Sequence, residues 1–128
     1  MSTSDDTTIS TAHIADVSPF GVVMDPRIVS QWQGARASGR AFTVRTPPSD
    51  NASLHEALDR VADGDVLVVD GGGYLDRALW GAIMPEAAQL TGVRGLVMDG
   101  AVREVSEIRR MQFPVYAAGR TPAARTTK

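Results

Sequence analysis

Two stretches of the sequence hold residue types that could do chemistry in the order in which they stand. The first, DGGGYLDRALWGAIMP from Asp70 to Pro85, sets three successive glycines ahead of a segment that turns helical around Gly81. Glycine permits positive φ and close backbone approach, at an entropic cost that a purely structural loop rarely needs three times over. Pro85 fits only a first helical turn, where its missing N–H is no loss. A helix starting there leaves the N–H groups of Ala82, Ile83 and Met84 without helical partners and aimed outward, a ready site for a carboxylate or phosphate. The plainer reading is a tight turn at Gly71 to Gly73 and a close helix contact at Gly81. Neither GxGxxG nor a Gly-Lys-Ser/Thr phosphate loop is present, so nucleotide binding gains no support.

The second stretch, MDGAVREVSE from Met98 to Glu107, places Asp99, Arg103, Glu104 and Glu107 after an aliphatic strand. Arg103 can hold a carboxylate in a two-pronged hydrogen bond. Glu104 offers oxygen to Mg²⁺ or Mn²⁺, hard ions that commonly bind through one or two carboxylates with water completing the octahedron. Against this stands an ordinary helix first turn, whose acids offset the dipole. His13 and His55 read as packing or surface residues. A catalytic zinc site or a Ser-His-Asp triad would have to rest almost entirely on one of them.

The elements around these stretches alternate. Ile9 to Val17 predicts a short helix capped by Ser10 or Thr11 and ended by Ser18-Pro19. Phe20 to Gln33 is ambiguous, with Val22-Val23-Met24 a candidate strand before the turn at Asp25-Pro26. Arg40 to Thr46 alternates as a strand, with Phe42 and Val44 on one side. Leu54, Ala57, Leu58 and Val61 put one apolar stripe on a helix running to about Ala62, with Ser53 and Glu56 as a possible capping box and Asn51 as a competing cap. Asp65 to Asp70 reads as a strand buried on both faces. A helix follows from about Ile83 to Leu90, then a strand from Arg94 to Met98, a short helix with Val105, Ile108 and Met111 inward, and a strand from Pro114 to Ala117. This order predicts one α/β domain with a largely parallel sheet, over residues 9–122, between a flexible arm at 1–8 and a flexible tail at 123–128.

Composition narrows the function classes. The 128 residues carry 13 Lys+Arg against 15 Asp+Glu, and 43% are hydrophobic, enough for one domain and too few for two. A net charge of −2, with two Trp, two Tyr and three Phe, argues against nucleic acid. The absence of Cys removes disulfides, thiolate nucleophiles and Cys-based zinc sites. No apolar run spans a bilayer, and no secretory leader is evident, so a cytoplasmic protein without membrane contact is expected.

Taken together, GRAFTVRTPPSDNASLHEALDRVADGDVLVVDGGG and RALWGAIMPEAAQLTGVRGLVMDGAVREVSEIRRMQFPVYAAGRTP, from about Gly39 to Pro122, resemble the 4-hydroxy-4-methyl-2-oxoglutarate aldolase family. That family also includes the regulator of ribonuclease E activity A. The resemblance implies a swivelling ββα-type α/β fold, assembled as homotrimers or hexamers with active sites at subunit interfaces. It implies metal-assisted cleavage of a carbon–carbon bond in a 2-oxo acid through a pyruvate enolate, with oxaloacetate decarboxylation as a side activity. Carried over by position, the backbone at Gly81, Ala82, Ile83 and Met84 grips the substrate carboxylate. Arg103 is the catalytic substrate contact, and Glu104 anchors Mg²⁺ or Mn²⁺. The sequence departs from the family's pattern in three places. Glu104 stands where Asp is usual, and Ala82 where aldolases often carry an acid that takes up the substrate hydroxyl proton through water. The chain also stops soon after Pro122, where longer relatives contribute an acidic residue to a neighbouring subunit's site. The rival reading is a catalytically weak regulatory protein acting on a protein partner such as a ribonuclease. A third is a specialised pathway enzyme that reuses the enolate site.

Overall fold

The computed structural model describes residues 9–20, 23–47, 50–81 and 83–123, with the Ile83 side chain excepted. The expected arm at 1–8 and all of the expected tail but Ala123 lie outside the described residues. Ala123 itself accepts a hydrogen bond from the Ala78 N–H at 2.8 Å.

Helix α1 (Thr11–Val17) starts on Ser10, whose side chain accepts the His13 N–H, and none of its residues is buried. Strand β1 is Val29–Ser30, β2 is Ala41–Arg45, α2 is Ala52–Leu58 and β3 is Val66–Asp70. Next come β4 (Ala78–Trp80), α3 (Ile83–Leu90), β5 (Gly95–Val102), α4 (Val105–Arg110) and β6 (Val115–Arg120). The sheet order is β1-β6-β5-β3-β2, with β4 paired to β5 off that path. All pairings are parallel except β1 with β6. The single α/β domain with a largely parallel sheet is therefore as the sequence predicts.

Register explains the core. Phe42, Leu67, Leu96 and Val115 are neighbours across four strands, and Val44, Val69, Met98 and Ala117 form the next row. Side chains two apart share a face, and this face packs with Leu54, Ala57 and Leu58 of α2, Met84 and Ala88 of α3, and Ile108 of α4. Trp80 stacks on Phe113 with ring centroids 6.0 Å apart. On the opposite face Val68, Val97 and Tyr116 are half-exposed and Thr43 is exposed, so β3 is not fully buried on both faces.

Four local expectations need correction. Val23 and Met24 form no strand, and Val22 lies outside the described residues; the strand of that segment is Val29–Ser30, placed by β6. The helix after the double proline is capped at Asn51 without a side-chain cap bond. Asp50 Oδ1 instead takes the Ala52 N–H, and Glu56 reaches Arg60, so the Ser53/Glu56 box does not form. The glycine-rich stretch contains β4, and β5 does not end at Met98 but runs to Val102 because β4 and β6 pair with its second half. Met98 pairs with Ala117 and Ala101 with Gly119, so β5 holds one extra residue at Asp99-Gly100. Such a bulge bends a strand and re-aims its side chains.

Candidate functional site

β4 and β5 run parallel, with Trp80 opposite Val102, and the Arg103 N–H donates to Trp80 O at 2.9 Å. Both strands therefore release the chain at the same place, β4 at Gly81 and β5 at Arg103. A Cβ added to Gly81 would stand 2.7 Å from Glu104 Oε1 and 3.3 Å from Arg103 Nε. Glycine is what lets these two charged side chains lie over the β4 exit. Arg103 Nε is 3.7 Å from Glu104 Oε1, and both side chains are half-exposed.

Glu104 is held by an unusual backbone. Its φ of 59° and ψ of 44° are left-handed, and it stands at the N-cap of α4 with no side-chain cap bond. Its carbonyl accepts the N–H groups of Glu107 and Ile108, both at 3.1 Å. An L-residue in this region is strained, and such strain persists where surrounding structure imposes it. The carboxylate is thus not consumed in capping its own helix.

Of the residues predicted for the site, Gly81, Arg103 and Glu104 come together. Helix α3 begins at Ile83 as expected. Met84 is buried against the core, so its side chain is not available to a ligand, and Ala82 lies outside the described residues. The other candidates go elsewhere. Asp99 lies inside β5, and its Oδ2 takes Arg27 Nη2 at 2.6 Å. Glu107 pairs with Arg110 at 2.8 Å. His13 and His55 are exposed on their helices. The three glycines serve the turn: Gly72 and Gly73 have φ of +71° and +73°, and a Cβ on Gly71 would stand 2.7 Å from Asp99 O. The plainer reading of Gly71 to Gly73 is the one the geometry supports.

The metal that the resemblance implies can be tested against the donors present. Among the described residues no three of His, Asp and Glu gather where an ion could sit. Glu104 is a single carboxylate open to water. That set does not make a closed protein cage, but it fits a hard ion held by one carboxylate with waters and substrate oxygens as its other ligands.

Two features escaped the sequence. Arg27 is drawn to Asp99 and to Asp25, and both hold its guanidinium more firmly charged than usual, the Asp99 hydrogen bond most of all. Arg120 Nε donates to Gln31 Oε1 at 2.7 Å across 89 positions. No local pattern signals either. At the far end of β3, buried Asp65 takes Arg40 Nε at 3.1 Å and the Ala62 N–H at 2.9 Å. These bonds, Arg40 foremost, hold its carboxyl below the usual carboxylate range.

Comparison with known proteins gives a consistent result. Residues 11–128 match the profile of the RraA-like family, described as Aldolase/RraA. The 4-hydroxy-4-methyl-2-oxoglutarate aldolase of Thermus thermophilus is 36% identical over 113 residues, 88% of this chain and 68% of that protein. A protein of Halalkalibacterium halodurans is 31% identical over 117 residues, 91% of this chain but only 56% of its own. Among solved structures, the RNA-processing inhibitor RraA of a Thermus species superposes with a TM-score of 0.82 at 34% identity, over 94% of this chain and 74% of that one.

Proposed function

Because the chain belongs to the RraA-like family, we propose that it is a lyase that breaks a carbon–carbon bond of a small 2-oxo acid, of the 4-hydroxy-4-methyl-2-oxoglutarate aldolase or oxaloacetate decarboxylase type. The observation that carries this reading is the meeting of Gly81, Arg103 and Glu104 at the shared exit of β4 and β5. The backbone from Gly81 to Met84 receives the C1 carboxylate, and the Arg103 guanidinium donates to the substrate's oxygens. As the bond at C3 breaks, its electron pair passes into the C2 carbonyl, and an enolate of pyruvate forms. Arg103 meets the negative charge that grows on the C2 oxygen, which is where fixed donors accelerate such reactions most. Protonation at C3 then gives pyruvate. Glu104 would hold Mg²⁺ or Mn²⁺, which when bound supplies Lewis acidity to the 2-oxo group.

The two reactions make different demands on the chain. Aldol cleavage must first remove the proton of the C4 hydroxyl, and Ala82 carries no group to take it. Decarboxylation loses CO₂ and needs no such base. We therefore expect oxaloacetate to be the better substrate of the two. Exposed Val17, Phe20 and Val23, with the half-exposed sheet face, support assembly with further copies of the chain. Among the described residues no helix is long and apolar enough to cross a membrane.

A second reading, a weakly catalytic regulator of a protein partner, is favoured by Ala82 and by the likeness to an RNA-processing inhibitor. Pyruvate release from oxaloacetate and from 4-hydroxy-4-methyl-2-oxoglutarate, each with and without Mg²⁺ or Mn²⁺, separates the two. The lyase reading expects ion-dependent release from oxaloacetate above the ion-only background. No release from either substrate would leave the regulator.

A further inference from the structure

Beside Arg103 the ends of α4 and β6 frame two adjoining clefts, of about 270 and 560 Å³, which share Val105, Ser106 and Arg120. The smaller also reaches Arg103, Glu104 and Thr121, and the larger extends to Arg109 and Trp32. The chain carries a net charge of −2, yet this groove brings three guanidinium groups to a single carboxylate. Neighbouring cations are matched: Arg110 has Glu107 at 2.8 Å, and Arg27 has Asp25 and Asp99. Among the described residues Arg109 and Arg120 have no carboxylate within ion-pair distance.

Arg120 is also fixed from behind. Its Nε donates to Gln31 Oε1 at 2.7 Å and its Nη2 to Gln31 O at 3.0 Å. Gln31 is 3% exposed, and its Nε2 donates in turn to Val29 O at 3.0 Å and Ala117 O at 3.2 Å. A buried amide tied into β1 and β6 thus holds an exposed guanidinium along the groove. Register sets Arg120 opposite Val102, one residue before Arg103. Ordering a long cation in this way costs side-chain entropy, and like charges so gathered repel. A ligand anion offsets both, and guanidinium groups suit carboxylate and phosphate alike.

We infer that this groove receives a second anionic group of the ligand, a carboxylate or phosphate on Arg120 and Arg109, while its first, the C1 carboxylate, lies on the backbone from Gly81 to Met84 beside Arg103. The inference rests on the proposed site only for that first group. The test is calorimetric titration of the full chain with three 2-oxo acids. 2-Oxopentanoate and 2-oxoglutarate share a carbon chain and differ in the distal carboxylate, and phosphonopyruvate supplies a phosphorus oxyanion instead.

The expected result is that one or both dianions bind at least about tenfold more tightly than 2-oxopentanoate, as a charge-assisted hydrogen bond implies. The tighter of the two identifies the source of the second charge. Arg120→Gln and Arg109→Gln should each remove about tenfold of dianion affinity and leave 2-oxopentanoate unchanged. Arg109, exposed on α4, keeps the test open if the Arg120 variant loosens β6. Three ligands that bind alike, or not at all, would overturn the inference, as would variants that weaken 2-oxopentanoate equally. If Arg103→Gln leaves every affinity unchanged while the groove variants still act, the groove stands and the proposed catalytic site falls.

Discussion

Replacing Glu104 separates what its backbone costs from what its side chain does. Both Glu104→Ala and Glu104→Gly delete the carboxylate, but alanine still has to adopt the left-handed φ of 59° at the N-cap of α4. An L-residue there is penalised by roughly 1 to 2 kcal/mol, a cost glycine escapes. Glycine is also the better N-cap of the two, so both effects favour Glu104→Gly over Glu104→Ala. Part of the gain is returned through glycine's larger unfolded-state entropy. The net expectation is about 1 kcal/mol in favour of glycine, which for a chain of this size is roughly 3 to 5 °C in Tm. Both variants should lose pyruvate-forming activity together. The assays are thermal unfolding by circular dichroism and pyruvate release from oxaloacetate. An alanine variant that melts as high as the glycine variant would refute the strain argument. An active glycine variant would refute the role of the carboxylate.

Other consequences follow from the same geometry. Gly81→Ala places a methyl where Glu104 Oε1 lies, 2.7 Å from the added Cβ. That oxygen ends a flexible side chain, so the fold should hold while the carboxylate shifts by about 1 Å, a misplacement that can cost roughly 100-fold in rate. Kinetics and thermal melts together check this, and Glu104→Asp in the Gly81→Ala background should recover part of the loss by retracting the carboxyl. Asp65 sets a pH dependence. Its carboxyl is lowered in the folded state, so it adds stability above the ordinary aspartate value of about 3.9 and loses it as pH falls through the lower folded value. Urea unfolding should therefore show Arg40→Gln less stable than the parent at pH 7, with the gap narrowing only once pH falls below about 3.9 and on through the lower folded value.

How much of this was legible in the sequence depends on the range of the interactions. The helix at Thr11–Val17 is marked by its Ser10 cap and the Ser18-Pro19 stop, while the helices at Ile83–Leu90 and Val105–Arg110 and strands β2, β3 and β6 carry their own apolar periods or aliphatic runs, and the structure has them where those signals lie. Strand β4 does not. Ala78 to Trp80 is three residues long inside a polar, glycine-rich stretch, and only the second half of β5 makes it a strand. Strand β1 is two residues placed by β6. The meeting of Gly81 with Arg103 and Glu104 follows from the β4–β5 pairing. The residues could be named from the two loops, but their contact could not be derived without β4. The Gln31–Arg120 bond spans 89 positions, and Gln31 stands in the segment whose pattern was ambiguous. The left-handed Glu104 gave no sign either, since glycine and asparagine are the usual marks of that conformation.

The central claim is that Arg103, over Gly81 and beside Glu104, stabilises the charge that forms when a 2-oxo acid loses its carbon–carbon bond. The most direct measurement is kcat/KM for ion-dependent pyruvate release from oxaloacetate by the parent chain and by Arg103→Ala at equal ion concentration, with the fold checked by circular dichroism. The account predicts a parent activity above the ion-only background and a fall of about 100- to 1,000-fold in the variant, as for loss of a fixed donor to a developing oxyanion. A folded Arg103→Ala chain that releases pyruvate as fast as the parent would contradict it.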